Sequence, residues 1–374
     1  MEHDRVLSVD IGPRPAGSEP EKRAAKYLQA QLSEYGYAAS LQSFAFDSFA
    51  DLGTSLEVTS PESPAIQAVA LGASDSAVAE GSLVAAGLGR PQEIPLGARG
   101  NVLLVERGEI TFSAKVANAE AGGATGVIVY NNRTGVVNGR LSGPGGIPAA
   151  GISQADGQAL VTLLAGGPVT VRLETKTETR TATSQNVVGT PPDGACSIVA
   201  GGHYDSVPEG PGANDNASGT AVVLEMARTR AANQDLGDVC YVLFGSEEIG
   251  LVGSGEYVQS LTSEQVDDLD AMLNFDMLAV GTEWPFIGSP EITALAAASA
   301  DRLGISYTVQ SELPENVGSD HVNFAEVGVP SIIFNCFCDD HYHSPQDTFE
   351  FVLPQRLSQA GEIGLGIIDD LLGP

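Results

Sequence analysis

Residues 201–219, GGHYDSVPEGPGANDNASG, leave the chain few options. Glycine, proline and asparagine at this density cannot continue a strand or a helix, so His203, Asp205 and Asp215 are expected on loops. The apolar run 197–200 (SIVA) just before reads as a short buried strand, and 221–230 just after reads as a helix. A strand that ends in a polar loop and passes into a helix is the repeating unit of open α/β sheets, which keep their chemistry at the carboxyl ends of the strands. This loop therefore supplies half of a candidate metal site.

The same pattern recurs. Residues 186–189 (NVVG), 239–244 (VCYVLF), 271–275 (AMLNF) and 330–334 (PSIIF) are buried runs, with helical stretches at 254–259, 291–303 and 320–325 and a closing helix over 357–371. Strands alternating with helices predict an α/β fold with a mostly parallel central sheet covered on both faces. Near the N-terminus, Ser18 as cap, Pro20 in the first turn, the stripe Ala24, Ala25, Leu28 and Leu32, and Gly36 as terminator define an amphipathic helix. An alternating strand over 38–46 follows it.

From about residue 49 the composition shifts to Ala, Gly, Ser, Pro and acids, with short β-like runs such as 55–58. A strand (101–106), a helix (111–121), two more strands (126–130 and 147–152), a helix (155–164) and a β-like run (169–175) come next, and the Thr-rich stretch 175–183 reads as a return crossing. The expected organisation is one domain from 1–48 and 184–374, interrupted by a β-rich insert over 49–183.

The formal net charge of -30, from 48 acidic and 18 basic residues, repels nucleic acid and anionic membrane surfaces, so neither is an expected partner. No apolar run approaches the roughly 20 residues of a membrane-spanning helix. The opening MEHDRVLSVD lacks the charged-then-apolar pattern of a secretion signal, which leaves a secreted protein already relieved of its signal or a cytosolic one; the extracellular reading is preferred. His3, near the terminus, is expected to have no role.

The rest of the candidate site follows other strands. Glu247 and Glu248 come after 239–244, Asp276 after 271–275, and His341 and His343 lie in 340–348, DHYHSPQDT. Adjacent residues aim their side chains apart, so Glu247 and Glu248 are expected to play different parts. Two histidines and several carboxylates at strand ends suit two Zn²⁺ ions sharing one carboxylate. The four cysteines form no C-x-x-C pair and are not expected zinc ligands.

Taken in order, GGHYDS, GANDNASGTA, FGSEEIGLVGS, NFDM, GSDHVNFAEVGVPSIIF and YHSPQDT resemble the M28 metallopeptidases with two zinc ions, the relatives of aminopeptidases S and Y, over residues 12–37 and 186 to the end. VLLVERGEITFSAKVANAEAGGATGVIVYNN followed by IPAAGISQADGQAL resembles a protease-associated domain, although Glu109 and Ile110 stand where that family often has a cysteine. The first resemblance implies two Zn²⁺ per chain, with His203 and Asp276 on one, Glu248 and His343 on the other, and Asp215 bridging. Glu247 is then the general base. Asp205 would hold the second nitrogen of the His203 ring, and Tyr342 would donate to the oxyanion. His343, not His341, heads the Ser-Pro-x-Asp-Thr tail of the family. The Ser319-Asp320-His321 element implies a structural or near-substrate role, and Gly318 replaces an Arg found in some members. Relatives sometimes carry a disulfide where Cys336 and Cys338 lie; a buried thiol pair is expected here.

The implied activity is removal of an apolar N-terminal residue from peptides by a monomeric enzyme, with the substrate ammonium held by Glu247 and Asp276. The alternative is a carboxypeptidase or dipeptidase of the same family, which needs an Arg or Lys for the terminal carboxylate. Arg228, Arg230 and Arg302 are instead expected on outer helices.

Overall fold

Apolar runs of four to six residues bounded by glycine and proline are too short for stable helices, and each of those named above becomes a strand. The computed structural model describes residues 1–143, 145–194, 196–310 and 318–373. It divides into two units, Met1–Phe46 with Ala182–Pro374, and Asp47–Thr181.

The first unit is built on an eight-stranded sheet. Its strands are β1 (Ala38–Asp51), β2 (Thr177–Thr190), β3 (Ile198–His203), β4 (Val239–Phe244), β5 (Ala271–Phe275), β6 (Trp284–Gly288), β7 (Tyr307–Gln310) and β8 (Ser331–Phe334), in spatial order β1-β2-β4-β3-β5-β8-β6-β7. The four central strands β4, β3, β5 and β8 are parallel. β2 joins β4 and β6 joins β8 in antiparallel pairs. Because the central four point the same way, the loops after His203, Phe244, Phe275 and Phe334 all leave from one edge.

Side chains alternate across these strands as a period of two requires. Ile198, Ala200, Tyr241 and Leu243 face one buried cluster with helices Gly219–Ala232 and Pro354–Leu372. Val199, Val242 and Phe244 face another with Tyr257 and Phe324, from helices Val252–Ser260 and His321–Glu326. Phe275 and Phe334 are register partners whose rings stack at 4.8 Å, with Trp284 and Phe286 edge-on to Phe334.

The second unit carries a seven-stranded sheet in the order Ser55–Ser60, Thr170–Thr175, Ala77–Ala85, Val102–Glu106, Gly126–Tyr130, Ala149–Ile152, Ala68–Ala70. Helices Phe112–Ala121 and Gln154–Gly166 belong to it, each begun by a side-chain cap, from Thr111 and Ser153. Among the described residues no helix is long and apolar enough to cross a membrane.

Several expectations are corrected. The stretch 175–183 is no bare crossing, since its threonines alternate into β2. β6 and β7 lie outside the runs read as strands; β6 carries Pro285 and tolerates it near the sheet edge. At the N-terminus Glu2–Arg5 is a helix and Val6–Ile11 continues it as a π turn. His3 is buried there, with Nδ1 2.6 Å from the Tyr27 hydroxyl and Nε2 3.3 Å from a Glu225 oxygen. Cys336 and Cys338 are a disulfide rather than a thiol pair, as are Cys196 and Cys240. Phe337 between the first two adopts a left-handed backbone (φ 53°), its N–H held by Asn335 Oδ1 at 2.6 Å, and this turn brings the two Cα atoms to 5.2 Å.

β3 crosses its neighbours too closely for a side chain at Gly202, where a Cβ would run into the Phe275 carbonyl. Gly202→Ala should therefore lower stability by about 1–3 kcal/mol, read as a lower thermal unfolding midpoint.

Candidate active site

His203 ends β3 with its ring buried. Its Nδ1 faces Asp205, 3.2 Å from the carbonyl and 3.6 Å from a carboxylate oxygen. Its Nε2 lies 3.2 Å from Asp215 Oδ1, 3.3 Å from Asp276 Oδ1 and 4.0 Å from Glu247 Oε2. On the far side of Asp215, Oδ2 is 3.2 Å from His343 Nε2, which is itself 2.9 Å from Glu248 Oε2. The structure thus gathers His203, Asp215, Glu247, Glu248, Asp276 and His343 into one cluster, with one oxygen of Asp215 toward each imidazole.

The loops that hold these groups have no regular ladder, so side chains satisfy their backbone. Asp205 accepts from the N–H groups of both Glu247 (3.0 Å) and Glu248 (3.3 Å), which ties the β4 turn to the His203 loop. The carboxylate of Asp347 accepts from Asn214 N–H (2.7 Å) and Asp215 N–H (3.0 Å). Asn216, joined to Asp215 by a cis peptide, donates to the Phe275 carbonyl (2.9 Å) and accepts from Gly219 (2.9 Å) and Met277 (3.2 Å). Sequence reading missed these duties of Asp347, Asn216 and Asp205, although all three lie inside the motifs GGHYDS, GANDNASGTA and YHSPQDT.

The remaining residues are placed as follows. Tyr342 is half-exposed and stacks its ring on His343, with centroids 3.7 Å apart. His341 turns away and packs on Phe351, with centroids 4.3 Å apart. His321 is buried, and burial pushes its imidazole down to about 4; burial also pushes the Asp320 carboxyl up to about 7. Arg228, Arg230 and Arg302 are engaged by Glu225, by Asp235 with Asp369, and by Asp370. Arg230 is buried rather than on an outer surface.

Charge inside the cluster is strongly coupled. Burial raises the pKa of Asp215, but His203 and His343 outweigh it and hold the carboxyl below the usual range. Burial depresses His343, yet Asp215 and Glu248 lift it to about 10. Glu247 is pushed up by burial and by neighbouring Glu248, Asp320 and Asp276, against His203. Glu248 rises to about 7 through burial and Asp215.

These residues fit a metal. His203, Glu247 and Asp276 form one group whose ligand atoms lie within 4.8 Å of one another, and His203, Asp215 and Glu248 form a second. Glu248 Oε1 is buried with no hydrogen-bond partner, an expensive state for a carboxylate unless a cation meets it. Imidazole with carboxylate is a donor set suited to zinc.

Beneath the Gly245–Ser246 turn lies Glu21, buried, accepting from Gly17 N–H (2.6 Å) and the Ser184 hydroxyl (2.5 Å). A Cβ on Gly245 would sit 2.9 Å from its Oε1.

An α/β protein with a cation-demanding cluster of imidazoles and carboxylates at the carboxyl edge of a parallel sheet core has the form of a metallohydrolase. The sequence matches the description Peptidase family M28 over residues 186–368 and PA domain over 67–160. It is 34% identical to aminopeptidase YwaD of Bacillus subtilis (strain 168), covering 96% of this chain and 81% of that protein. The fold is similar to an aminopeptidase from Aneurinibacillus sp. strain AM-1 (TM-score 0.86, 32% identity, 98% of this chain and 92% of the other). It is also similar to BSAP, a zinc aminopeptidase from Bacillus subtilis (TM-score 0.82, 31% identity, 99% and 94%). The chain belongs to peptidase family M28 and is a peptide hydrolase with a PA domain.

Burial and Asp205 push the Glu21 carboxyl up to about 8. The unfolded chain ionises this group near 4.5 and the folded one not until about 8, so the folded state binds the extra proton between them. Its contribution to stability must then fall as pH rises through that window. Urea unfolding at pH 5 and pH 8 should show Glu21→Gln gaining on wild type as the pH rises.

Proposed function

We propose that this protein is a two-zinc aminopeptidase that removes an apolar N-terminal residue from peptides. The observation that carries the reading is Asp215, with one oxygen 3.2 Å from His203 and the other 3.2 Å from His343, as a shared ligand requires. His203 and Asp276 would hold one ion, Glu248 and His343 the other. Bound there, two zinc ions would supply a nucleophilic water at neutral pH and polarise the scissile carbonyl.

The protein's own groups do the rest. Asp205 orients the His203 ring through Nδ1. Glu247, buried and raised in pKa, takes the proton of the attacking water and returns it to the leaving amine. Tyr342, beside His343, donates to the oxyanion. The substrate ammonium is met by Glu247 and Asp276. A carboxypeptidase would need a free cation at the site, and the arginines named above are already held by carboxylates. The proposed domains are a peptidase core of residues 1–48 and 184–374 and a protease-associated insert of 49–183. The proposed state is a secreted monomer whose charge of -30 keeps it from nucleic acid and anionic membranes.

Zinc analysis of the purified protein, with a panel of aminoacyl p-nitroanilides and N-acetylated peptides, tests this directly. Close to two zinc per chain, loss of hydrolysis on chelation, and refusal of acetylated substrates are expected. Cleavage of a blocked peptide from its C-terminus would overturn the direction of attack, and full zinc in Asp215→Ala would overturn the shared ligand.

The adjacent glutamates separate by substitution. Glu247→Gln should keep both ions and the fold while turnover falls about 10²- to 10⁴-fold or more, whereas Glu248→Ala should lose or weaken one zinc. Metal analysis beside kcat reads both, and a Glu247→Gln protein within threefold of wild type would remove Glu247 from its role.

A further inference from the structure

Arg14 is fully buried, and sequence reading gave it no role. Its guanidinium donates to carbonyls alone: Nε to Tyr204 (2.8 Å), Nη1 to Leu7 (3.0 Å), Gly12 (3.0 Å) and Pro211 (2.6 Å), and Nη2 to Gly212 (3.1 Å). Its backbone exchanges hydrogen bonds with Ser206, N–H to Oγ at 3.0 Å and carbonyl from N–H at 3.2 Å. No carboxylate touches this cation among the described residues, yet Asp4, Asp205, Asp347 and Asp215 all lie within its electrostatic reach.

Between Arg14 and Asp347 runs the loop that delivers Asp215. Its carbonyls at Pro211 and Gly212 are gripped by the cation, and its N–H groups at Asn214 and Asp215 are gripped by the anion. The Asp347 carbonyl also accepts from Ala213 N–H at 3.3 Å. Each gripping residue is in turn tied to one histidine. Arg14 binds the carbonyl of Tyr204, the residue after His203, while Asp347 lies four residues after His343 in the same short segment.

We propose that Arg14 and Asp347 are paired positioning residues: an ion pair split by a peptide loop, which sets the loop so that Asp215 presents one oxygen to each histidine. This rests on the reading of Asp215 as the shared zinc ligand. A lysine at position 14 could not replace the arginine, because three donors from one point cannot meet five carbonyls arranged around a planar fork.

The test uses the zinc-loaded enzyme with Arg14→Lys, Asp347→Asn and the double variant. Zinc retention is followed against a graded chelator, kcat and KM at saturating zinc, and thermal unfolding with and without metal. Each single change should weaken zinc retention by about 10- to 100-fold, the effect of removing groups that orient metal ligands. The loss at saturating zinc should fall on kcat more than on KM. Because both residues act through one loop, the double variant should lose less than the product of the two single losses. Variants that melt earlier but keep wild-type chelator resistance and kcat would overturn the inference and leave both residues as ordinary scaffold. Strictly multiplicative losses would overturn the pairing. If Arg14→Lys does not fold, the near-isosteric Asp347→Asn decides alone. Asp215→Ala run alongside separates the two levels: if it retains both ions the shared-ligand reading fails, and if it loses zinc while the clamp variants do not, only this inference fails.

Discussion

Four carboxylates packed against two imidazoles would repel one another unless positive charge were present, and the rest of the structure answers that demand. The imidazoles are driven toward their charged forms by the acids around them, and Asp215 is held ionised between them. The Glu248 oxygen left buried without a hydrogen-bond partner marks where the side chains alone do not satisfy the cluster. A cation at the centre resolves repulsion, desolvation and the unpaired lone pair together.

Such a cluster needs backbone that departs from helix and sheet while remaining fixed. The scaffold contributes rigidity through the stacked Phe275 and Phe334 and the fully buried strands that end at the site. The loops contribute aim, through Asp205, Asn216 and Asp347, whose side chains take the hydrogen bonds that neighbouring strands would otherwise supply. The glycines at 201 and 202 let β3 pass close to its neighbours, which is why the loop after it can begin so near the other ligands.

Much of this was legible in the chain. Buried runs of four to six residues announced β3, β4, β5 and β8, and parallel order then required their polar successors to share an edge. What escaped was set by contacts distant in sequence. WPFIG is interrupted by a proline and Tyr307–Gln310 is mostly exposed, so neither stands out as a buried run; β6 forms on the edge that β8 offers, and β7 on the edge that β6 then offers. His3 gives no local sign of burial; its partners are Tyr27, Tyr35 and Glu225. Arg14 sits in GPRPAGS, which reads as a turn, and its five acceptors lie on three separate segments. The disulfide of Cys336 and Cys338 depends on a left-handed Phe337 that no propensity favours.

β3 lies between β4 and β5, each of which follows it in the chain, and β5 is flanked on its other side by β8, later still. The cluster draws on residues 203 to 343 and is braced from residue 14 to residue 347, so nearly the whole chain must emerge and dock before the centre is complete. Contacts of this span close late and slowly. A chain cut short of the His343 segment therefore lacks the second imidazole and the Asp347 grip on the Asp215 loop, whatever the earlier strands have already formed.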